Sequence, residues 1–333
     1  MPQCRMQHYA ILTTCIALSC VGSAVAETWR LKTGQTWEST TAGPDEQYLH
    51  AIAEIKRLVQ EGNKKGANAI VKQLKDEFPD RVGPDLDLFV KGELHYWRDQ
   101  YTRALTEYER LLKDYPGSEF ADVAMQREYD LAQAYLHGRK KVALYFLAIS
   151  GRAEGVAIME RISDRAGIDE PDSIGVNAAI AVAEHYEQKK EYLDAYLKWS
   201  EIASYWETGS VGKRAMYRMA EDNFLAYNQH PSKQRFRFDS SKLTTARTYY
   251  EKFLALYPDE GRKNDVPEKI KAIDEETAYK QFKIGQYYQR VGKHRAAYLY
   301  FDMVVQNWPK TKAAKLAKLA LAKVPNGEKA RGK

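Results

Sequence analysis

At 333 residues and 44% hydrophobic content, the chain is long enough for two average domains and apolar enough to build a sizeable core. Its formal net charge of +6 is concentrated at one end, because residues 310–333 carry eight basic residues and one acid, Glu328; a nucleic-acid binder would spread basic charge along a binding face, and that class is set aside. All three cysteines, Cys4, Cys15 and Cys20, precede residue 27, which excludes a disulfide framework, a thiol nucleophile and a Cys-based metal site from the rest of the chain.

The first element is an export signal over 1–26. Arg5 precedes the mostly apolar stretch 9–21, and Ala24-Val25-Ala26 fits the small-x-small pattern of a signal-peptidase site, so cleavage after Ala26 is expected. The stretch is too short and too interrupted by Thr13, Thr14 and Ser19 to span a membrane comfortably. Ala17-Leu18-Ser19-Cys20 also resembles a bacterial lipoprotein signal with its first two positions in the wrong order, which leaves acylation of Cys20 as the alternative. Residues 27–43, rich in Thr and Gly, read as an extended linker. Its Trp29 and Trp37 either pin the linker to the first helices or meet a membrane or partner.

A helical domain then occupies 44–322, ahead of a basic tail over 323–333. Helical hairpins are predicted at 45–79, 84–116, 118–165, 174–207, 209–258 and 268–309, with a last helix from 311 to 322. Two hairpins carry inserts between their helices, 138–151 and 229–242; in the second, Phe236 and Phe238 are expected to dock the insert on neighbouring helices. Four times an Ala is followed twelve residues later by a Pro: Ala67 and Pro79, Ala104 and Pro116, Ala246 and Pro258, Ala297 and Pro309. The small residue suits a close crossing of two antiparallel helices, and the Pro stops the second one. In the best copy Gly285 and Tyr288 lie in the first helix and Ala297 and Phe301 in the second. Another copy has Gly92, Ala104, Tyr108 and Pro116; a third has Ala183, Tyr186 and Ala195, with Glu207 where the Pro belongs.

This small-aromatic-small-aromatic-Pro order resembles the tetratricopeptide repeat. The resemblance implies an all-α right-handed superhelix of about six hairpins with a C-terminal capping helix, a protein that holds other proteins. From about residue 176 onward the match sharpens. Asp239, Leu243, Ala246, Tyr250, Phe253 and Pro258, followed by Tyr287, Tyr288, Gly292, Ala296, Ala297, Tyr300, Val304, Val305, Pro309, Thr311 and Ala314, resemble the BamD-like family of outer-membrane assembly lipoproteins. That resemblance implies a periplasmic, outer-membrane-associated scaffold whose partners are unfolded β-barrel precursors and a barrel-inserting protein.

No catalytic or nucleotide-binding motif is present, the seven His are scattered, and neither enzyme activity nor a cofactor is expected. Asp85, Asp87, Asp169 and Glu170 read as helix caps in inter-repeat turns. In tetratricopeptide arrays the first helix of each hairpin lines the concave face. On that alignment a partner groove would receive Ile52, Lys56 and Val59, then Phe89, Glu93, Tyr96 and Trp97, then Tyr129, Gln133 and Leu136. Phe89 and Trp97 could equally fill the joint between hairpins. The Lys312, Lys315 and Lys318 row reads as a solvating cap or as a contact for anionic lipid or an acidic partner. Two other functional classes remain: a Tol-Pal-associated coordinator of envelope constriction, and a repeat-bearing peptidoglycan enzyme, for which no stretch is left over as a catalytic domain.

Overall fold

Four of the hairpins open their second helix on one backbone device. Gly62, Asp99, Lys190 and Gly292 all take the left-handed conformation, with φ of 71°, 57°, 61° and 74°. Each stands five residues before a fully buried repeat alanine, Ala67, Ala104, Ala195 or Ala297. The helices that follow, α2 (Lys64–Glu77), α4 (Tyr101–Asp114), α8 (Tyr192–Tyr205) and α13 (His294–Asn307), are each 14 residues long. Each then stops at an aromatic C-cap, Phe78, Tyr115, Trp206 or Trp308, whose N–H bonds the carbonyl four residues back. In three of them the next residue is Pro, which disfavours helical backbone at the residue before it.

The fourth has Glu207 instead, and the structure supplies a substitute for the missing Pro. The Trp206 indole donates from Nε1 to the Ile168 carbonyl at 2.6 Å, tying the helix end to the turn before α7 (Ile174–Gln188). Pro258 has a further role beyond stopping α10 (Ser241–Leu256): it is the first residue of a short helix, α11 (Pro258–Lys263), absent from the sequence expectations. Proline is at ease there because its missing N–H would go unbonded anyway.

The computed structural model describes residues 28–32, 36–40, 44–144 and 147–323, and the chain divides into two compact units, 1–97 and 98–333. The expected signal peptide with Cys20 and Ala26, and the tail beyond Lys323, lie outside the described residues. In the first unit, Thr28–Lys32 (β1) and Thr36–Thr40 (β2) form an antiparallel hairpin with Leu31 opposite Trp37. The linker expected at 27–43 is thus partly paired, as residues of high β-propensity such as Thr and Trp permit. Helices α1 (Pro44–Gln60), α2 and α3 (Pro84–Tyr96) bury Tyr48, Ile55, Leu74, Leu86 and Phe89. The rings of Tyr48 and Phe78 meet edge to face at 5.7 Å, and the Arg81 guanidinium lies 4.3 Å over Tyr48.

The second unit runs α4, α5 (Ala121–Leu136), β3 (Lys140–Leu144), β4 (Leu147–Ser150), α6 (Arg152–Ala166), α7, α8, α9 (Gly209–Asn228), α10, α11, α12 (Val266–Arg290), α13 and α14 (Lys312–Leu321). Helices pack on their sequence neighbours, α5 on α6, α7 on α8, α9 on α10 and α12 on α13, as a repeat stack requires. The insert at 138–151 is an antiparallel β-hairpin rather than a plain loop. The insert at 229–242 holds a 3-10 turn, Ser232–Arg237. Its main tether is polar: Arg235 donates to the carbonyls of His230 and Asn228 at 2.9 Å each, and the Tyr227 hydroxyl donates back to the Arg235 carbonyl at 3.0 Å. Phe236 meets Tyr279 of α12 edge-on, while Phe238 stacks on His230 within the insert. Gly285 shows why the repeat needs its small positions: a Cβ there would come within 2.6 Å of the Phe301 ring.

Two capping assignments are corrected. Asp85 and Asp87 lie in the first turn of α3, whose N-cap is Gly83, and Asp87 pairs with Lys75 at 2.6 Å. Asp169 and Glu170 precede α7, but Ser173 caps it, its Oγ accepting from the Val176 N–H at 3.2 Å.

Candidate functional site

The expected groove residues fall into two sets. Ile52, Val59 and Phe89 are buried in the first unit and Leu136 in the second, and Glu93 is buried as well. These side chains build the core and are not available surface, a correction to the sequence reading. The cause is periodicity: Ile52, Ile55 and Val59 share one apolar stripe of α1 at spacings of three and four, which a helix turns toward its own hairpin. What remains accessible in the first unit is Lys56, part of Tyr96, and Trp97, which is 43% exposed. The Trp97 indole donates to Glu93 Oε2 at 3.3 Å and meets Tyr96 edge to face. In the second unit Tyr129 and Gln133 are half-buried and joined, Gln133 Nε2 donating to the Tyr129 hydroxyl at 3.0 Å.

The most elaborate polar site lies elsewhere, in a cavity of about 450 Å³ in the second unit. Its walls come from α4, the end of α5, β3 and α6, and include Glu109, Lys113, Tyr135, Lys141, Glu154 and Arg161. The β-hairpin insert brings Lys141 to 2.8 Å from Glu154. Glu109 sits between two guanidinium groups one helical turn apart on α6, Arg165 at 2.9 Å and Arg161 at 3.6 Å. Behind them the carboxylate of Glu128 is fully buried, with Arg165 Nη1 at 3.7 Å and no hydrogen bond to either oxygen. Burial, reinforced by the charge of Glu109 and opposed by Arg165 and Arg161, pushes the Glu128 carboxyl up to about 7. Burial also raises the Tyr135 phenol. The set can hold a proton near neutrality and present both cations and carboxylates to a polar guest. Among the described residues no group of His, Cys, Asp and Glu could hold a metal ion.

Sequence reasoning looked at the neighbouring face of α5. Tyr129, Gln133 and Leu136 form one stripe, and Glu128 and Tyr135 lie about 110° around the helix. The signal was present: Ala124, Glu128, Leu131, Ala132 and Tyr135 recur at core spacing, so an acid stands in an apolar stripe, and Arg161 and Arg165 repeat at i and i+4.

A second buried acid lies between α7 and α9. Asp222 is 1% exposed, and burial together with the charge of Glu187 raises its carboxyl to about 8. Glu187 accepts the Trp199 indole N–H at 2.7 Å and faces Arg218 at 3.4 Å. His185 is buried, and that burial lowers its pKa.

Comparison with known families bears on these elements in two places. Residues 88–118 match the tetratricopeptide repeat model. The chain is an all-α tetratricopeptide-like repeat protein. Residues 214–330, running from α9 through α14 and beyond, match a family model described as YfiO, outer membrane lipoprotein. No curated protein matches the chain in sequence. Among solved structures, a tetratricopeptide repeat protein from Parabacteroides merdae is 17% identical, with 83% of this chain and 97% of that one covered at a TM-score of 0.31. Among the described residues no helix is long and apolar enough to cross a membrane.

Proposed function

We propose that the protein is a non-catalytic periplasmic scaffold, associated with the outer membrane, that serves the assembly and insertion of β-barrel proteins. The observation that carries this reading is the match of residues 214–330 to the outer membrane lipoprotein model, on a chain whose fold is a repeat array of the protein-binding kind. On this reading unfolded precursor segments meet accessible side chains of each unit by itself, Lys56, Tyr96 and Trp97 in the first and Tyr129 and Gln133 in the second, and residues from α9 onward dock the barrel-inserting subunit. Trp97 is the best-placed anchor, a half-exposed indole that offers a large contact area at little conformational cost.

The test is a mild-detergent pull-down of the tagged protein from its own envelope, with mass spectrometry of its partners and of its mature N-terminus. Recovery of a barrel-inserting protein supports the assembly role, and the N-terminus distinguishes Glu27 from acylated Cys20. Recovery of division or peptidoglycan proteins alone refutes it in favour of the constriction coordinator.

A further inference from the structure

The last helix carries its apolar side chains in an order that a cap does not need. Facing inward, α14 buries Ala313, Ala314 and Ala317 against α12 and α13, with Leu321 half-buried against the same core. Facing outward it presents Leu316, 45% exposed, and Leu319, 65% exposed. A terminal helix that only had to close the stack would place all three of its leucines inside and polar residues outside. The small inward residues follow from the close approach of α14 to two helices at once. The outward leucines have no such cause.

Along this stretch of the chain every charge has one sign. Lys312, Lys315 and Lys318 step along the same exposed side, and Lys323 follows just past the helix end. From Asp302 to Glu328 the sequence has five lysines and no acid between them. The carboxylate packed against the start of the helix, Glu275, accepts the Lys312 backbone N–H at 2.9 and 3.0 Å, so its charge is engaged with the helix N-terminus rather than with the lysine row.

We propose that the outer face of α14 is a contact surface for an anionic lipid bilayer. Leucines set among lysines match the depth structure of an interface: the apolar side chains enter the acyl boundary while the lysine stems keep the ammonium groups at headgroup level. A ten-residue helix is about 15 Å long, so it lies on the surface and does not span it. A lysine row of one sign complements a surface of uniform negative charge, and the leucines set among the lysines add the apolar component that a lipid boundary takes up. The contact orients the protein on a membrane and does not rest on the assembly role.

The experiment is vesicle co-sedimentation of the full chain, with Cys20→Ser in every arm so that no acyl group contributes. Mixed phosphatidylglycerol and phosphatidylcholine vesicles are compared with phosphatidylcholine alone. Binding is expected to the anionic vesicles only, and to weaken steeply as salt is raised. Replacing Lys312, Lys315 and Lys318 together by Gln is expected to weaken it about 100-fold, near fivefold per lysine. Leu316→Ser with Leu319→Ser should lower it about tenfold, with helical content unchanged because both side chains are exposed. Equal binding to both vesicle types, or binding indifferent to these substitutions, overturns the proposal. So does self-association in sedimentation velocity that the leucine variant abolishes, which would assign the face to a second copy of the chain.

Discussion

Replacing Glu128 by Gln removes a buried charge from behind the cavity wall with little change of side-chain shape. The wild-type carboxyl moves from an ordinary value of 4.5 up to about 7 on folding, because burial and Glu109 oppose its ionisation more than Arg165 and Arg161 favour it. A carboxyl with a raised pKa binds its proton more tightly in the folded chain. Its contribution is therefore complete below pH 4.5 and is lost as pH rises through about 7. At about 1.4 kcal/mol per pH unit, the window amounts to about 3 kcal/mol. Urea unfolding of parent and Glu128→Gln should therefore diverge with pH, the variant gaining about 3 kcal/mol on the parent between pH 4.5 and pH 8. Hydrogen exchange in α5 and α6 locates the gain, since a repeat stack can open region by region. A difference between the two proteins that stays constant across this range would refute the reasoning, because Glu128 would then ionise alike folded and unfolded.

Asp222→Asn should act in the same direction over a wider window, from about 4 to about 8, and add to the first substitution because the two acids lie in separate neighbourhoods; paired pH titrations of stability check this. Trp206→Phe is expected to cost about 1–3 kcal/mol by leaving the Ile168 carbonyl without its donor, seen as faster hydrogen exchange where α8 meets the turn before α7. Gly285→Ala should destabilise by about 1–3 kcal/mol, and Phe301→Leu in the same chain should recover part of the loss by vacating the contact, measured by thermal unfolding. Lys190→Gly should stabilise by about 0.5–1 kcal/mol, because φ of 61° burdens a side chain and suits glycine.

Much of the fold was legible because its markers are steric. Ala67, Ala104, Ala195, Ala246 and Ala297 are all fully buried, as an alanine repeated at a helix crossing should be. Pro79, Pro116 and Pro309 each follow a helix end within two residues. The β-hairpin at 140–150 escaped because KKVAL and LAIS are short apolar runs whose type periodicity alone does not decide. The groove was read from the helical face that tetratricopeptide repeats usually present, yet Ile52, Val59, Phe89 and Leu136 are large and apolar and the core claims them. The cavity in front of Glu128 depends on three helices and a hairpin meeting, and its sequence signals were the acid's place in an apolar stripe and the spacing of Arg161 and Arg165.

The left-handed residue, the repeat alanine five positions on and the aromatic cap after fourteen helical residues together form a ruler of fixed length in α2, α4, α8 and α13. Along that ruler identities vary freely: Gly, Asp and Lys serve at its origin, Phe, Tyr and Trp at its end. Its count does not vary, since one inserted residue would turn everything beyond it by 100° and swing a buried alanine toward water. Lineages of this protein should therefore drift by substitution within these four helices, and accept changes of length in the segments at 138–151 and 229–242, where the ruler is not in force.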